Sequence, residues 1–144
     1  MTCKGIRKHP NKGGPKALKE VGSPEDLETF LPWADFLSIH VPLTDETRGL
    51  FDLDKFKRMK DSAYIVNVSR GPIIVKEDLY KALTEEEIAG AGLDVFWSEP
   101  PDSEDDLYKL SNVVTTPHIA GVTVEAYERI ADELSRKVKK YFKI

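Results

Sequence analysis

Short apolar, β-branched runs at residues 34–40, 63–68, 91–96 and 112–116 read as strands, the first stopped by Pro42. Residues 2–6 make a weaker fifth. Between the runs the apolar spacing turns helical. Leu53, Phe56 and Met59 stripe residues 52–60, and Leu79 and Leu83 lie one turn apart in 77–83. Residues 124–142 set Tyr127, Ile130, Ala131, Leu134, Val138, Tyr141 and Phe142 along one amphipathic helix. Ser23-Pro24-Glu25-Asp26 is a helix start, with a capping serine, a proline in the first turn and two acids at the positive end of the dipole. Pro32 cuts that helix short, and residues 9–15 form a turn-rich surface loop. Strands and helices alternating at these distances imply right-handed crossovers and a mostly parallel sheet. The expected class is α/β.

A chain of 144 residues suits one domain with a real core. Twenty-five acids against 21 bases, net −4, argue against a general nucleic-acid binder. Cys3 has no second cysteine to pair with, which suits a reducing cytoplasm. No apolar run approaches the ~20 residues of a membrane span, and the start lacks the apolar core of a signal peptide. The expectation is a cytoplasmic protein without membrane or nucleic-acid partners.

Three of the runs lead into Ser69-Arg70-Gly71, Trp97-Ser98-Glu99 and Pro117-His118-Ile119. On neighbouring parallel strands about 4.8 Å apart, their carboxyl ends would bring a guanidinium, a carboxylate and an imidazole to the edge where open α/β sheets bind ligands. His118 could act as a general acid/base near neutral pH, or be a surface loop histidine. Glu99, on a stiff segment before Pro100-Pro101, would stabilise an adjacent imidazolium and raise its pKa, or be a solvated acid. Arg70 offers a planar fork suited to a carboxylate, or pairs with a structural acid. Asp94 lies in an apolar run, so its charge needs a ligand amide or backbone donors. His40 reads as a packing residue and His9 as exposed. Gly90-Ala-Gly92 opens a strand, with Val95 at the third glycine position, so it is no phosphate loop. The Glu85-Glu86-Glu87 run lacks metal-ligand spacing.

These segments together resemble the D-isomer-specific 2-hydroxyacid dehydrogenases, the group of phosphoglycerate, glycerate, glyoxylate and hydroxypyruvate reductases. The resemblance rests on His40-Val-Pro-Leu-Thr44 with Thr47, Asn67-Val-Ser-Arg-Gly71, Gly90-Ala-Gly-Leu-Asp-Val-Phe96 leading to Glu99-Pro100, and Pro117-His-Ile-Ala-Gly121. It implies a Rossmann-like NAD(P)-binding domain with an NAD or NADP cofactor and a small 2-hydroxy or 2-oxo acid substrate, in a homo-oligomer. Arg70 would hold the substrate's carboxylate and carbonyl oxygen. His118 would move the proton at that oxygen, and Glu99 would pair with His118. Asp94 would accept from the nicotinamide carboxamide, and Val41, Val68, Ser69, Ala120 and Gly121 would line the cofactor. Arg7 and Lys8 stand where NAD-specific members carry an acid, which would favour the 2′-phosphate of NADP. Lys76 stands where relatives have a helix-capping aspartate, at a cost of about 1 kcal/mol.

The resemblance also implies that a central first strand and its glycine-rich loop are missing, as is the substrate domain. The expectation is therefore a partial dinucleotide-binding domain with little activity alone. Residues 23–144 would form its core, and residues 1–22, deprived of their partner strand, would be displaced, repacked or paired with another copy. The competing readings are a non-catalytic regulatory module akin to dinucleotide-sensing corepressors, and an inactive remnant.

Overall fold

The computed structural model describes residues 1–12 and 15–143. In chain order the elements are β1 (Cys3–Ile6), β2 (Leu18–Gly22), α1 (Leu27–Phe30), β3 (Phe36–Ile39), α2 (Leu53–Phe56), β4 (Tyr64–Asn67), α3 (Lys76–Thr84), β5 (Gly90–Leu93), α4 (Asp106–Lys109), β6 (Val113–Thr115) and α5 (Val124–Phe142). Every strand pairing is parallel. β1 and β2 form one sheet, and β3-β4-β5-β6 a second in sequence order. The α/β class expected from the alternation of runs is what forms.

Register explains which residues make the core. Leu37, Ile65, Ala91 and Val113 lie abreast, as do Ile39, Asn67 and Leu93, so one face of the larger sheet carries them all. That face joins Phe56 of α2 and Leu79, Ala82 and Leu83 of α3 in the main apolar cluster. The opposite face carries Phe36, Tyr64 and Val114, all exposed, with the Phe36 and Tyr64 rings stacked 5.4 Å apart.

The 23–33 segment begins where the sequence places it: Asp26 Oδ2 accepts from the Ser23 backbone N–H and hydroxyl. Pro32 does not end the segment. It falls in the first turn of a closing 3-10 stretch, Leu31–Trp33, where a missing N–H costs nothing. The stripe at 52–60 yields only Leu53–Phe56 as α-helix, with Asp52 capping it and Asp78 of α3 accepting from the Leu53 N–H. Lys76 is the first residue of α3 rather than its cap, and Val75 before it offers no side-chain cap. Lys76 instead forms an ion pair with Asp105. Burial opposes ionisation of Asp105, but this pair and the Leu107 N–H hold its carboxyl below the ordinary range.

The strand at 18–22 has no counterpart in the apolar pattern, because Leu18-Lys-Glu-Val-Gly22 is short and half polar. It holds β1 through the ladder and through Lys4, which pairs with Glu20 at 2.7 Å and sits over the Phe30 and Trp33 rings. The loop at 9–15 falls partly outside the described residues. No helix among the described residues is long and apolar enough to cross a membrane.

Candidate active site

Four chain segments meet beyond the carboxyl ends of β3 to β6. The Ser69 hydroxyl donates to the Val41 carbonyl at 2.7 Å, tying the end of β4 to that of β3. Asn67, fully buried, then shapes the turn that follows. Its Oδ1 accepts from the Ser69 N–H at 3.0 Å and its Nδ2 donates to the Arg70 carbonyl at 2.9 Å. A buried amide costs free energy unless both ends are bonded, and here both are. Gly71 completes the turn. A Cβ there would stand 2.2 Å from the Phe96 carbonyl oxygen and 2.7 Å from the Trp97 nitrogen. The turn carrying Arg70 therefore lies directly against the backbone that leads to Glu99.

Arg70 is exposed, and its Nη1 donates to the Ser69 carbonyl at 2.6 Å. Among the described residues no carboxylate lies within ion-pair distance of it. The structural ion pair weighed for Arg70 in the sequence is thus not what forms, and much of its fork faces open space.

His118 sits in left-handed backbone, φ 55°, which a non-glycine residue adopts only when its surroundings impose it. Asp94, 4% exposed, supplies the constraint. Its Oδ1 accepts from the Thr116 hydroxyl and the Ile119 N–H, and its Oδ2 from the Ala120 N–H at 2.8 Å. Burial works against ionisation of Asp94, but these donors and the nearby His118 hold its carboxyl below the ordinary value. The backbone donors weighed for Asp94 are present. Oδ2, with one donor, keeps capacity for a second.

Held so, His118 points Nδ1 at Glu99, 2.9 Å from each carboxylate oxygen. That hydrogen bond lowers the Glu99 pKa against the cost of desolvation, helped by a backbone bond at Phe96 and by the charges of His118 and Arg70. The arrangement leaves the other ring nitrogen, Nε2, for a reacting group. The side chains are about 40% exposed, as at an open edge.

The other expected site residues are spread wider. Val41, Val68 and Ser69 are half-buried at the ends of β3 and β4, and Ala120 and Gly121 are exposed beyond β6. Arg7 and Lys8 follow β1 on the smaller sheet. The Arg7 N–H donates to the Gly22 carbonyl, and Lys8 pairs with Glu46 at 3.0 Å in the connection after β3. His40 is exposed rather than packed and bonds the Ser38 hydroxyl through Nε2, and His9 is exposed as expected. Sequence reasoning gave no role to Asn67 or Thr116. A lone amide ending an apolar strand, just before Ser-Arg-Gly, was the available signal. No group of His, Cys, Asp and Glu among the described residues could hold a metal ion.

The family model for the NAD-binding domain of D-isomer specific 2-hydroxyacid dehydrogenases matches residues 1–120. The chain belongs to that family. It is 48% identical over 113 residues to a glyoxylate reductase of Thermofilum pendens, covering 78% of this chain and 33% of that protein. A hydroxypyruvate reductase of Thermotoga maritima is 44% identical over 117 residues, covering 80% and 38%. In structure the chain is similar to a D-isomer specific 2-hydroxyacid dehydrogenase of Xanthobacter autotrophicus Py2 in complex with NADPH and MES. The TM-score is 0.81 at 30% identity, over 95% of this chain and 57% of that one. The chain thus spans a third to two-fifths of the length of these curated relatives. The Rossmann-like character of the fold follows from the same comparison.

Asp94 gives this site a measurable signature. Asp94→Asn should lower stability at pH 7 by about 1–3 kcal/mol, because the amide turns a donor toward backbone N–H groups. A carboxyl ionising below its unfolded-state value stabilises fully above about pH 4, and loses that contribution as pH falls through the folded-state value. The difference in urea midpoint between wild type and variant should be flat from about pH 5 to 8 and shrink below about pH 4. A difference that persists unchanged at pH 2 would show that the charge of Asp94 contributes nothing.

Proposed function

We propose that this chain supplies the nicotinamide side of the active site of an NAD(P)-dependent 2-hydroxyacid dehydrogenase. The observation that carries the reading is the His118–Glu99 pair with Arg70 beside it, on the carboxyl edge of one parallel sheet. Bound NAD(P) would exchange a hydride with the substrate's C2. The residues present fit its nicotinamide end: Asp94 Oδ2 retains acceptor capacity for a carboxamide, and Val41, Val68, Ser69, Ala120 and Gly121, in the segments that follow β3, β4 and β6, would line the cofactor. The 144 residues contain no Gly-x-Gly-x-x-Gly sequence, the pattern whose backbone N–H groups hold a pyrophosphate at a helix N-terminus.

Arg70 binds the substrate carboxylate through its open donors and orients the C2 oxygen toward His118. With Nδ1 donating to Glu99, neutral His118 presents Nε2 as an acceptor and removes the proton from a 2-hydroxy acid. Protonated, it donates from Nε2 to a 2-oxo acid. Glu99, kept ionised by its neighbours, fixes the ring and stabilises the imidazolium. The reading includes a small 2-hydroxy or 2-oxo acid as partner, self-association of the chain, and little turnover by the 144 residues alone.

The test is a graft. Residues 1–120 placed in the corresponding segment of the Thermofilum pendens glyoxylate reductase should restore NAD(P)H-dependent reduction of a 2-oxo acid. Arg70→Ala in that graft should lower kcat/KM by roughly 10- to 150-fold, mainly through KM, as loss of charge-assisted hydrogen bonds requires. A folded graft that is inactive, or indifferent to Arg70, refutes the reading. Arg7 and Lys8 further support NADP over NAD: the graft should bind NADPH more tightly than NADH, and Arg7→Ala with Lys8→Ala should erase the difference. Equal affinity, or an NADH preference, in the unmutated graft counts against it.

A further inference from the structure

Glu99 lies in a loop, residues 98–104, whose members are all exposed and form no helix or strand. Within it the Glu104 N–H donates to Asp102 Oδ1, and Glu104 and Asp106 pair with Lys109. These bonds stay inside the loop and α4. They do not by themselves hold a carboxylate to the ~0.5 Å that a working site needs.

The loop is fastened at its two ends instead. Before it, the Trp97 indole N–H donates to the Ile74 carbonyl at 2.7 Å. After it, Asp105 Oδ1 accepts from the Leu107 N–H, while Oδ2 forms the ion pair with Lys76. Both partners, Ile74 and Lys76, belong to the strap that leads from Arg70 into α3. That strap is a fixed reference. Ile73 and Ile74 are buried, the Val75 N–H donates to the Phe51 carbonyl at 2.9 Å, and the Phe51 N–H donates to the Ile73 carbonyl at 3.1 Å. The Phe96 and Tyr108 rings, edge to face at 5.3 Å, fill the base of the loop between the two anchors.

The residue type at 76 is explained by the loop and not by the helix it begins. A cation in the first turn opposes the helix dipole, so α3 gains nothing from Lys76. Asp105 does gain. Its side chain is 14% exposed, and a carboxylate withdrawn that far from water is costly without a partner.

We propose that Lys76 is a positioning residue for Glu99: with Trp97 it clamps both ends of the 98–104 loop to the Ile74–Lys76 strap, holding the Glu99 carboxylate on His118 Nδ1. The strap starts at Arg70, so one backbone segment sets the spacing between the guanidinium and the acid that orients the imidazole. The proposal rests on the dehydrogenase reading for what His118 does, but the clamp itself is tested without turnover.

In the full chain the Glu99 carboxyl can be followed by carbon-13 NMR, its signal assigned by its loss in Glu99→Gln. The bond to His118 is the chief influence lowering its titration, with the charges of His118 and Arg70 assisting. Lys76→Met should raise the midpoint by about 0.5 in pH or more, as that bond loosens. Loss of a cation predicts the same direction, so two further variants decide. Asp105→Asn removes an anion, which through space alone lowers the midpoint, whereas release of the loop raises it. Trp97→Phe changes no charge and should also raise it. Lys76→Arg, which keeps the ion pair, should stay near wild type. In each variant the amide signals of β4 and β5 should hold their positions, separating release of the loop from loss of the fold. A midpoint that falls or stays put in Asp105→Asn or in Trp97→Phe overturns the clamp, as does a Lys76→Arg value equal to that of Lys76→Met. Should Asp105→Asn not fold, Trp97→Phe decides alone. An inactive graft leaves these titrations standing, and their failure leaves the dehydrogenase reading standing.

Discussion

Alanine at position 71 should cost the chain about 3 kcal/mol, at the upper end of ordinary overpacking penalties. The added methyl group would overlap the Phe96 carbonyl carbon and oxygen and approach the Trp97 nitrogen within 2.7 Å. These atoms are backbone, not the flexible end of a side chain, so no rotamer change relieves the overlap. The turn after β4 and the segment after β5 must separate, and the site rides on both. The Asn67 bonds that fix Arg70 lie on one side of the contact and Glu99 on the other. The urea midpoint should fall by about 1–2 M. Trp97 fluorescence should report the displacement, since its indole N–H donates to the Ile74 carbonyl at 2.7 Å in the intact structure. A Gly71→Ala chain with wild-type midpoint and Trp97 emission would show that the two segments are not in rigid contact.

His118→Gln, made in the active graft, should lower kcat by about 10²–10⁴-fold, the usual contribution of one positioned acid/base. Glutamine keeps an amide that can donate to Glu99 but has no group that exchanges a proton near neutral pH. Cofactor affinity should therefore stay near wild type while kcat falls. The left-handed backbone at 118 suits histidine somewhat better than glutamine, so an unchanged urea midpoint and cofactor affinity in the variant are what isolate the imidazole. If His118→Gln retained wild-type kcat, the proton would have to come from elsewhere and the assigned role would be lost. Glu99→Gln gives the complementary measurement. The pair's hydrogen bond survives but its charge does not, so kcat should fall less than in His118→Gln.

The strands and the long helix were legible because period is a local property. Apolar runs at 63–68 and 112–116 contain β4 and β6, the run at 91–96 overlaps β5, which starts one residue earlier and ends at Leu93, and the stripe at 124–142 coincides with α5. The β2 strand was not legible, since only Leu18 and Val21 of its five residues are clearly apolar and its ladder with β1 sets the conformation. The 52–60 stripe overshot for a related reason: a buried Met59 fits a turn packed on the core as well as a helix. Arg70, Glu99 and His118 were legible because polar residues closing apolar runs have few structural reasons to be there. Their supports were not. Nothing local indicates that Asn67 spans its own turn, or that Asp94 reaches forward to the backbone of Ile119 and Ala120.

The sequence by itself determined the α/β class, the strands from β3 onward, the long last helix and the residues at the carboxyl edge, because these follow from hydrophobic period and from which side chains can do chemistry. Only the tertiary structure decided that His118 is held left-handed by a buried carboxylate, that Gly71 must be glycine, and that one face of α5 stands uncovered. Each depends on atoms distant along the chain, whose approach is set by sheet register and core packing rather than by neighbours in sequence.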